Sequence, residues 1–320
     1  MAEIVLDHAR PGELAQWDRF VDRAVNGTLF HQRAFLAYHG DRFAGQERFL
    51  VARRGDAVVA QIALAVREDG AGRVALSPYG GSVGSFVFAQ PPTYAEGQAV
   101  AAAFVAWLGE QGIGRARLTV PPATYSPAPM DSFSFNLLEA GFASVIRDIS
   151  STVPLAGPPS LSEAARRKER KARAAGLAVE RTDRLDLFWP LMEATFAKHS
   201  ARPTHDRREL DLLLRLFPER VLVELAVLDG RPVAGNCYFV LNRRVVLSFY
   251  PCQDPEQPDM PGLALLLADG IARFREQGFA WLDLGTSTVG MQPRPSLFQF
   301  KEGYGRAGVF RETFEWRGAP

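Results

Sequence analysis

Two short runs near the end of the chain carry the residue types most able to do chemistry. Leu282-Asp283-Leu284-Gly285-Thr286-Ser287 ends an apolar-alternating strand in a polar turn, and Phe300-Lys301-Glu302-Gly303-Tyr304-Gly305 sets a lysine among aromatic and glycine residues. A held ammonium can steady the oxyanion that forms when an acyl carbonyl is attacked, or grip a phosphate. Glycines beside it let the backbone come close to a bound molecule. Asp283 can receive the proton of an attacking amine or hold the nucleophile. A helix-cap or turn role suits Asp283, Thr286 and Ser287 equally well, and a surface lysine ahead of a turn has the same spacing as Lys301. Phe300 and Tyr304 read as channel walls or as packing.

Other polar residues gather in a loop, His199-Ser200-Ala201-Arg202-Pro203-Thr204-His205, whose composition suits a polar or anionic substrate. His199, Arg202 and Thr204 are its candidate contacts, and either histidine could act as a base or simply be solvated. Tyr250 and Tyr79 each close a strand where a substrate could be stacked and hydrogen-bonded, or where a core tyrosine would sit. Arg166 to Arg173 is a basic run that can meet RNA phosphates or form a solvated helix face. Cys237 and Cys252 lack zinc-site spacing, no metal constellation is expected, and Cys237 falls within a strand pattern as a packed, reduced thiol.

Strands and helices must position these residues. The pattern predicts a strand at Glu3 to Leu6, a helix from Pro11 with the face Leu14, Trp17, Phe20, Val21 and Val25, and a second helix from about Gln32. Strand-like runs then cover Arg48 to Arg53, Val58 to Val66 and Arg73 to Ser77, followed by a glycine-rich segment and a long helix ending near Gly112. A basic helix over Leu161 to Ala175 and a helix with the face Leu187, Leu191, Ala194 and Phe196 are expected later.

The chain has 320 residues, 47% of them apolar, which favours two domains with sizeable cores. A net charge of +1 gives no overall pull toward DNA or membranes. The start has no signal-peptide pattern and no apolar run is long enough to span a bilayer, so a cytoplasmic protein is expected. Val221 to Pro251, with its Asp229-Gly230 turn, echoes Arg48 to Pro78 with its Gly55-Asp56 turn. The helices that follow end in Glu276-Gln277-Gly278 and Glu110-Gln111-Gly112. Two copies of one α/β unit account for this repetition. A Pro/Gly/Ser-rich stretch at Val153 to Ser162 separates them. The expected domains are 1–152, completed by 306–320, and 153–305.

A helix pair, an antiparallel three-stranded meander, a helix, a strand, a helix and a strand follow the order of the GNAT acyltransferase fold. The duplicated pattern, the Asp283-x-Gly285-x-Ser287 turn, the Phe300-Lys301-x-Gly303-Tyr304-Gly305 motif and the basic helix together resemble the FemABX aminoacyltransferases and their FemAB-like relatives. The resemblance implies an α/β (α+β) protein of two tandem GNAT domains with mixed, largely antiparallel sheets. It also implies an amide-forming aminoacyltransferase with no bound cofactor. Aminoacyl-tRNA would be the donor and an amine of a peptidoglycan precursor or peptide-like metabolite the acceptor. By the same resemblance Lys301 and Asp283 are the catalytic candidates, Lys301 as stabiliser of the reacting carbonyl or as contact to the tRNA end. Two other readings share the fold: an acyl-CoA-dependent N-acyltransferase and a non-catalytic binding protein. The proline-rich segment Pro251 to Gly262 lacks the Gly-rich pattern that aims backbone N–H groups at a coenzyme A pyrophosphate.

Overall fold

A computed structural model describes residues 3–70, 72–158, 161–198 and 201–318. The chain divides into two compact units, Met1–Asp148 with Phe310–Pro320, and Ile149–Val309. In order, the first stretch of chain gives β1 (Ile4–His8), α1 (Pro11–Arg23), α2 (Arg33–Leu36), β2 (Glu47–Arg54), β3 (Ala57–Asp69), β4 (Gly72–Ser77), β5 (Val87–Phe88), α3 (Tyr94–Glu110), β6 (Arg115–Thr119), α4 (Asp131–Glu139) and β7 (Phe142–Pro154). There follow α5 (Glu163–Ala174), β8 (Ala178–Thr182), α6 (Leu185–Lys198), α7 (Arg207–Leu216), β9 (Val221–Leu228), β10 (Arg231–Val240), β11 (Val245–Gln253) and α8 (Gly262–Glu276). Last come β12 (Trp281–Thr286), β13 (Thr288–Val289), β14 (Gln292–Pro293), α9 (Pro295–Glu302) and β15 (Ala307–Arg317).

In the first unit the strand order is β1-β2-β3-β4-β6-β15, antiparallel except for the parallel pair β4/β6. The second repeats the plan as β8-β9-β10-β11-β12 followed by the end of β7, with β11/β12 the parallel pair. The repeated turns are local chemistry. Asp229 and Gly230 both take positive φ, as a tight hairpin matching strand twist requires. The first core joins Leu50, Ile62 and Phe314 of the sheet to Phe104 of α3, and the second holds Leu222, Tyr238, Val246 and Leu282; the central strands β3 and β9 are buried on both faces. Burying each such side chain stabilises its unit by about 1.5–3 kcal/mol.

Three elements depart from the pattern. The helix expected from Gln32 is one α-helical turn, α2, and then a 3₁₀ stretch over Ala37–Phe43 broken at Gly40 (φ +55°). Helix α6 buries Leu185, Phe188, Leu191 and Met192; of the expected face Leu191 is buried, while Leu187, Ala194 and Phe196 are half-buried. Leu185, Phe188 and Met192 recur at three and four residues and form the alternative stripe that packing selected. The segment between β12 and Lys301 is not one loop: it holds the β13/β14 hairpin and α9, which Pro295 opens at its first position.

Candidate active site

In the second unit β11 and β12 pair only over Val245–Leu247 and Trp281–Asp283, although both strands run on, to Gln253 and Thr286. Parallel strands that stop pairing leave backbone groups and strand-end side chains to be satisfied by something else. The chain answers with polar side chains. Asp283, fully buried, accepts hydrogen bonds on one carboxylate oxygen from Ser150 Oγ (2.6 Å) and from the Gly285 backbone N–H (2.6 Å). Gly285 takes φ +77°, which lets the strand turn back so that its N–H reaches the carboxylate two residues earlier. The β12/β7 register shifts across this turn.

Lys301 sits in the last turn of α9, 5% exposed, and its Nζ donates to the Gly285 carbonyl (2.8 Å) and the Thr286 carbonyl (2.7 Å). The sequence suggested an ammonium presented to an incoming carbonyl or phosphate. Here it faces inward, because a buried amine must recover hydrogen bonds lost with its water, and the strand end offers two unpaired carbonyls. Ser287 Oγ bonds Ser151 Oγ (2.7 Å), the Ser287 N–H donates to Ile149 O (2.7 Å), and Thr288 Oγ1 accepts from the Ile149 N–H (2.8 Å). Gly285 is therefore clasped from both sides, by Asp283 on its N–H and by Lys301 on its carbonyl.

Phe300 and Tyr304 meet edge to face at 5.4 Å and line a cavity of about 330 Å³ together with Ser162, Lys168, Ser296 and Gln299. Burial raises the Tyr304 phenol well above its ordinary value, so it stays protonated. Tyr250 belongs to a second cluster. Its Oη lies 2.8 Å from His205 Nδ1 and accepts from the His205 N–H (3.1 Å), while burial, opposed by these bonds and one with Thr204, raises its pKa. Phe249 and Phe196 pack around this pair. Arg202 is exposed in the α6/α7 loop. His199 lies outside the described residues. Tyr79 is in the first unit, where its hydroxyl donates to Glu47 Oε1 (2.8 Å).

The structure thus brings together Asp283, Thr286, Ser287 and Lys301, and separately Thr204 and Tyr250. Ser150, Ser151 and Thr288 complete the first group and escaped sequence reasoning. The hydroxyl run Ser150-Ser151-Thr152 in a strand was the available signal, since buried hydroxyls need partners. Among the described residues no group of His, Cys, Asp or Glu is placed to hold a metal ion. Both cysteines are buried, and burial raises both thiols above their usual range.

An acyl-CoA pyrophosphate would need free N–H groups at the start of α8. There the Gly262 N–H donates to Met260 O and the Leu263 N–H to Gln253 Oε1 (3.2 Å), with Asp254, Glu256 and Asp259 in the preceding loop. In the first unit Thr93 caps α3, with Glu96 in its first turn. The Gly84 N–H of the glycine-rich segment donates to Thr119 O just past the last β4/β6 pair, which ends at Leu118. These residues do not fit a pyrophosphate.

The acetyltransferase (GNAT) domain family matches residues 160–301. FemX shares the fold with a TM-score of 0.73 at 14% identity, over 98% of this chain and 97% of that one. The C-terminal domain of a putative lysylphosphatidylglycerol synthetase from Agrobacterium fabrum aligns with a TM-score of 0.62 at 14% identity over 96% and 92% of the two chains. L-PGS from Bacillus licheniformis gives 0.61 at 12% identity over 97% and 93%. No curated protein sequence matches the chain. Fold and domain match together define an acyltransferase. More particularly, its fold is that of FemX, with two GNAT units in tandem.

Proposed function

We propose that the protein forms amide bonds by moving an amino acid from aminoacyl-tRNA to an amine of a peptidoglycan precursor or peptide-like acceptor. The observation that carries the choice of donor is the start of α8, whose Leu263 N–H is capped by Gln253 where a coenzyme A pyrophosphate would otherwise be held. The fold shared along almost the whole chain with FemX supports the aminoacyl reading.

In this reading the acyl ester enters where β11 and β12 part, and the turn Gly285–Ser287 lines its path. Lys301 and Asp283 are positioning residues, fixing the carbonyl and the N–H of Gly285 so that the turn is set before substrate arrives. The attacking amine loses its proton as the amide forms, and the tRNA hydroxyl leaves with one.

The test uses the full chain with charged tRNA, peptide-amine acceptors and, in parallel, acyl-CoA. Amide product that appears with charged tRNA and is abolished by ribonuclease supports the proposal. Product from acyl-CoA that survives ribonuclease overturns it.

A further inference from the structure

We infer that the second unit docks on an anionic lipid surface through the β13/β14 hairpin and the first turns of α5. The hairpin leaves Val289 60% and Met291 53% exposed at its tip. Its two central residues, Gly290 and Met291, take φ of +55° and +64°. A two-residue turn of this kind is normally Asn-Gly or Asp-Gly, because a bulky side chain is strained at positive φ. Here methionine holds that position while its side chain gains little burial in return. A positive-φ turn that leaves an apolar side chain half in water gains little from burial, and such positions concentrate where a protein meets something else.

A cation stands at the base of the hairpin, and others lie on the helix that shares a cavity with α9. The Arg294 N–H donates to Ser287 O at the hairpin base, and its side chain is exposed. Helix α9 starts at the next residue, and its Ser296 and Gln299 line one cavity with Lys168 of α5. Arg166, Arg167 and Lys168 are exposed and make no ion pair among the described residues, whereas Arg170 and Arg173 pair with Glu163 and Glu169 of the same helix. Apolar side chains that enter the headgroup boundary, with arginine and lysine beside them at phosphate level, are the signature of surface attachment to anionic lipid. RNA would match the cations but not the tip, since nucleotides are held by aromatic stacking rather than by valine and methionine. No helix among the described residues is long and apolar enough to cross a membrane, so the contact lies on the surface.

The experiment is co-sedimentation of the full chain with phosphatidylcholine vesicles, with and without phosphatidylglycerol, at low and high salt. No acyl donor is present, so the result is separate from that of the transfer reaction. Binding is expected only with phosphatidylglycerol and should weaken with salt. Met291→Gly, which removes the side chain and relieves the strained turn, should lower partitioning about tenfold while its thermal transition stays level or rises. Arg166→Ala and Arg167→Ala should each lower binding about fivefold on phosphatidylglycerol vesicles. The inference fails if the full chain ignores phosphatidylglycerol vesicles at low salt, or if Met291→Gly binds them as well as the parent. It fails equally if the arginine variants lose retention of tRNA on a filter while vesicle binding is unchanged.

Discussion

Lys301 and His31 show opposite answers to the same problem, a titratable group taken out of water. Lys301 keeps hydrogen-bond acceptors, the Gly285 and Thr286 carbonyls. Lys301→Met would leave both carbonyls unpaired, with an expected cost on the order of 3 kcal/mol in urea unfolding and a kcat roughly a hundredfold lower. Loss of kcat with unchanged stability would show instead that the ammonium meets substrate. His31 is fully buried, with Nε2 3.0 Å from Gly84 O and Nδ1 2.8 Å from Thr28 Oγ1. Burial depresses its pKa to about 4, against the weaker opposing effect of its hydrogen bonds to Gly84 and Thr28. As pH falls below the free-histidine value near 6.5, the unfolded chain takes a proton that the folded chain refuses until about 4. Stability should therefore fall from pH 6.5 toward 4, by roughly 3 kcal/mol from this group. Urea melts of His31→Gln across that range should show a shallower fall than the parent.

At the scale of elements, the approach of the chain after α9 to β7 decides which glycines are required. A Cβ on Gly305 would lie 2.8 Å from Thr152 O and 2.9 Å from Val153 Cα, both backbone atoms of β7. One on Gly308 would meet only the Ile149 Cγ2 methyl, at 3.2 Å. Gly305→Ala is expected to destabilise by about 2 kcal/mol or more and Gly308→Ala by well under 1 kcal/mol, measured as midpoint shifts in denaturant. Equal costs would mean that β7 yields to the added methyl. The hairpin turns and the start of α1 at Pro11 were readable from local sequence, because dihedral preference alone sets them. The buried face of α6 was not, because two stripes of that helix are apolar enough to face a core. The β13/β14 hairpin was hidden by its unusual Gly290-Met291 turn.

At the scale of the whole molecule, the last strand returns to the first unit. Thr313–Arg317 pairs antiparallel with β6, and Phe314 enters the first core. A chain ending at 309 should lose the cooperative unfolding of the first unit, and Phe314→Ala alone should cost it about 3–5 kcal/mol in calorimetry or chemical unfolding. An unchanged first transition in the shortened chain would contradict this placement. The expected split at 1–152 with 306–320, and 153–305, stands beside units of 1–148 with 310–320, and 149–309. Repetition, turn chemistry and apolar alternation are properties of neighbouring residues, so the duplicated GNAT pattern and the Asp283 and Lys301 motifs could be read from sequence. Hydrogen-bond partners 10 to 136 residues apart in the chain cannot be read that way. Only tertiary structure decided that the Lys301 ammonium turns inward to Gly285, that Ser150 and Ser151 meet Asp283 and Ser287, and that Gln253 caps α8. The reason is the cost of burying a polar group unpaired, which folding settles with whichever partner the packed chain brings within reach.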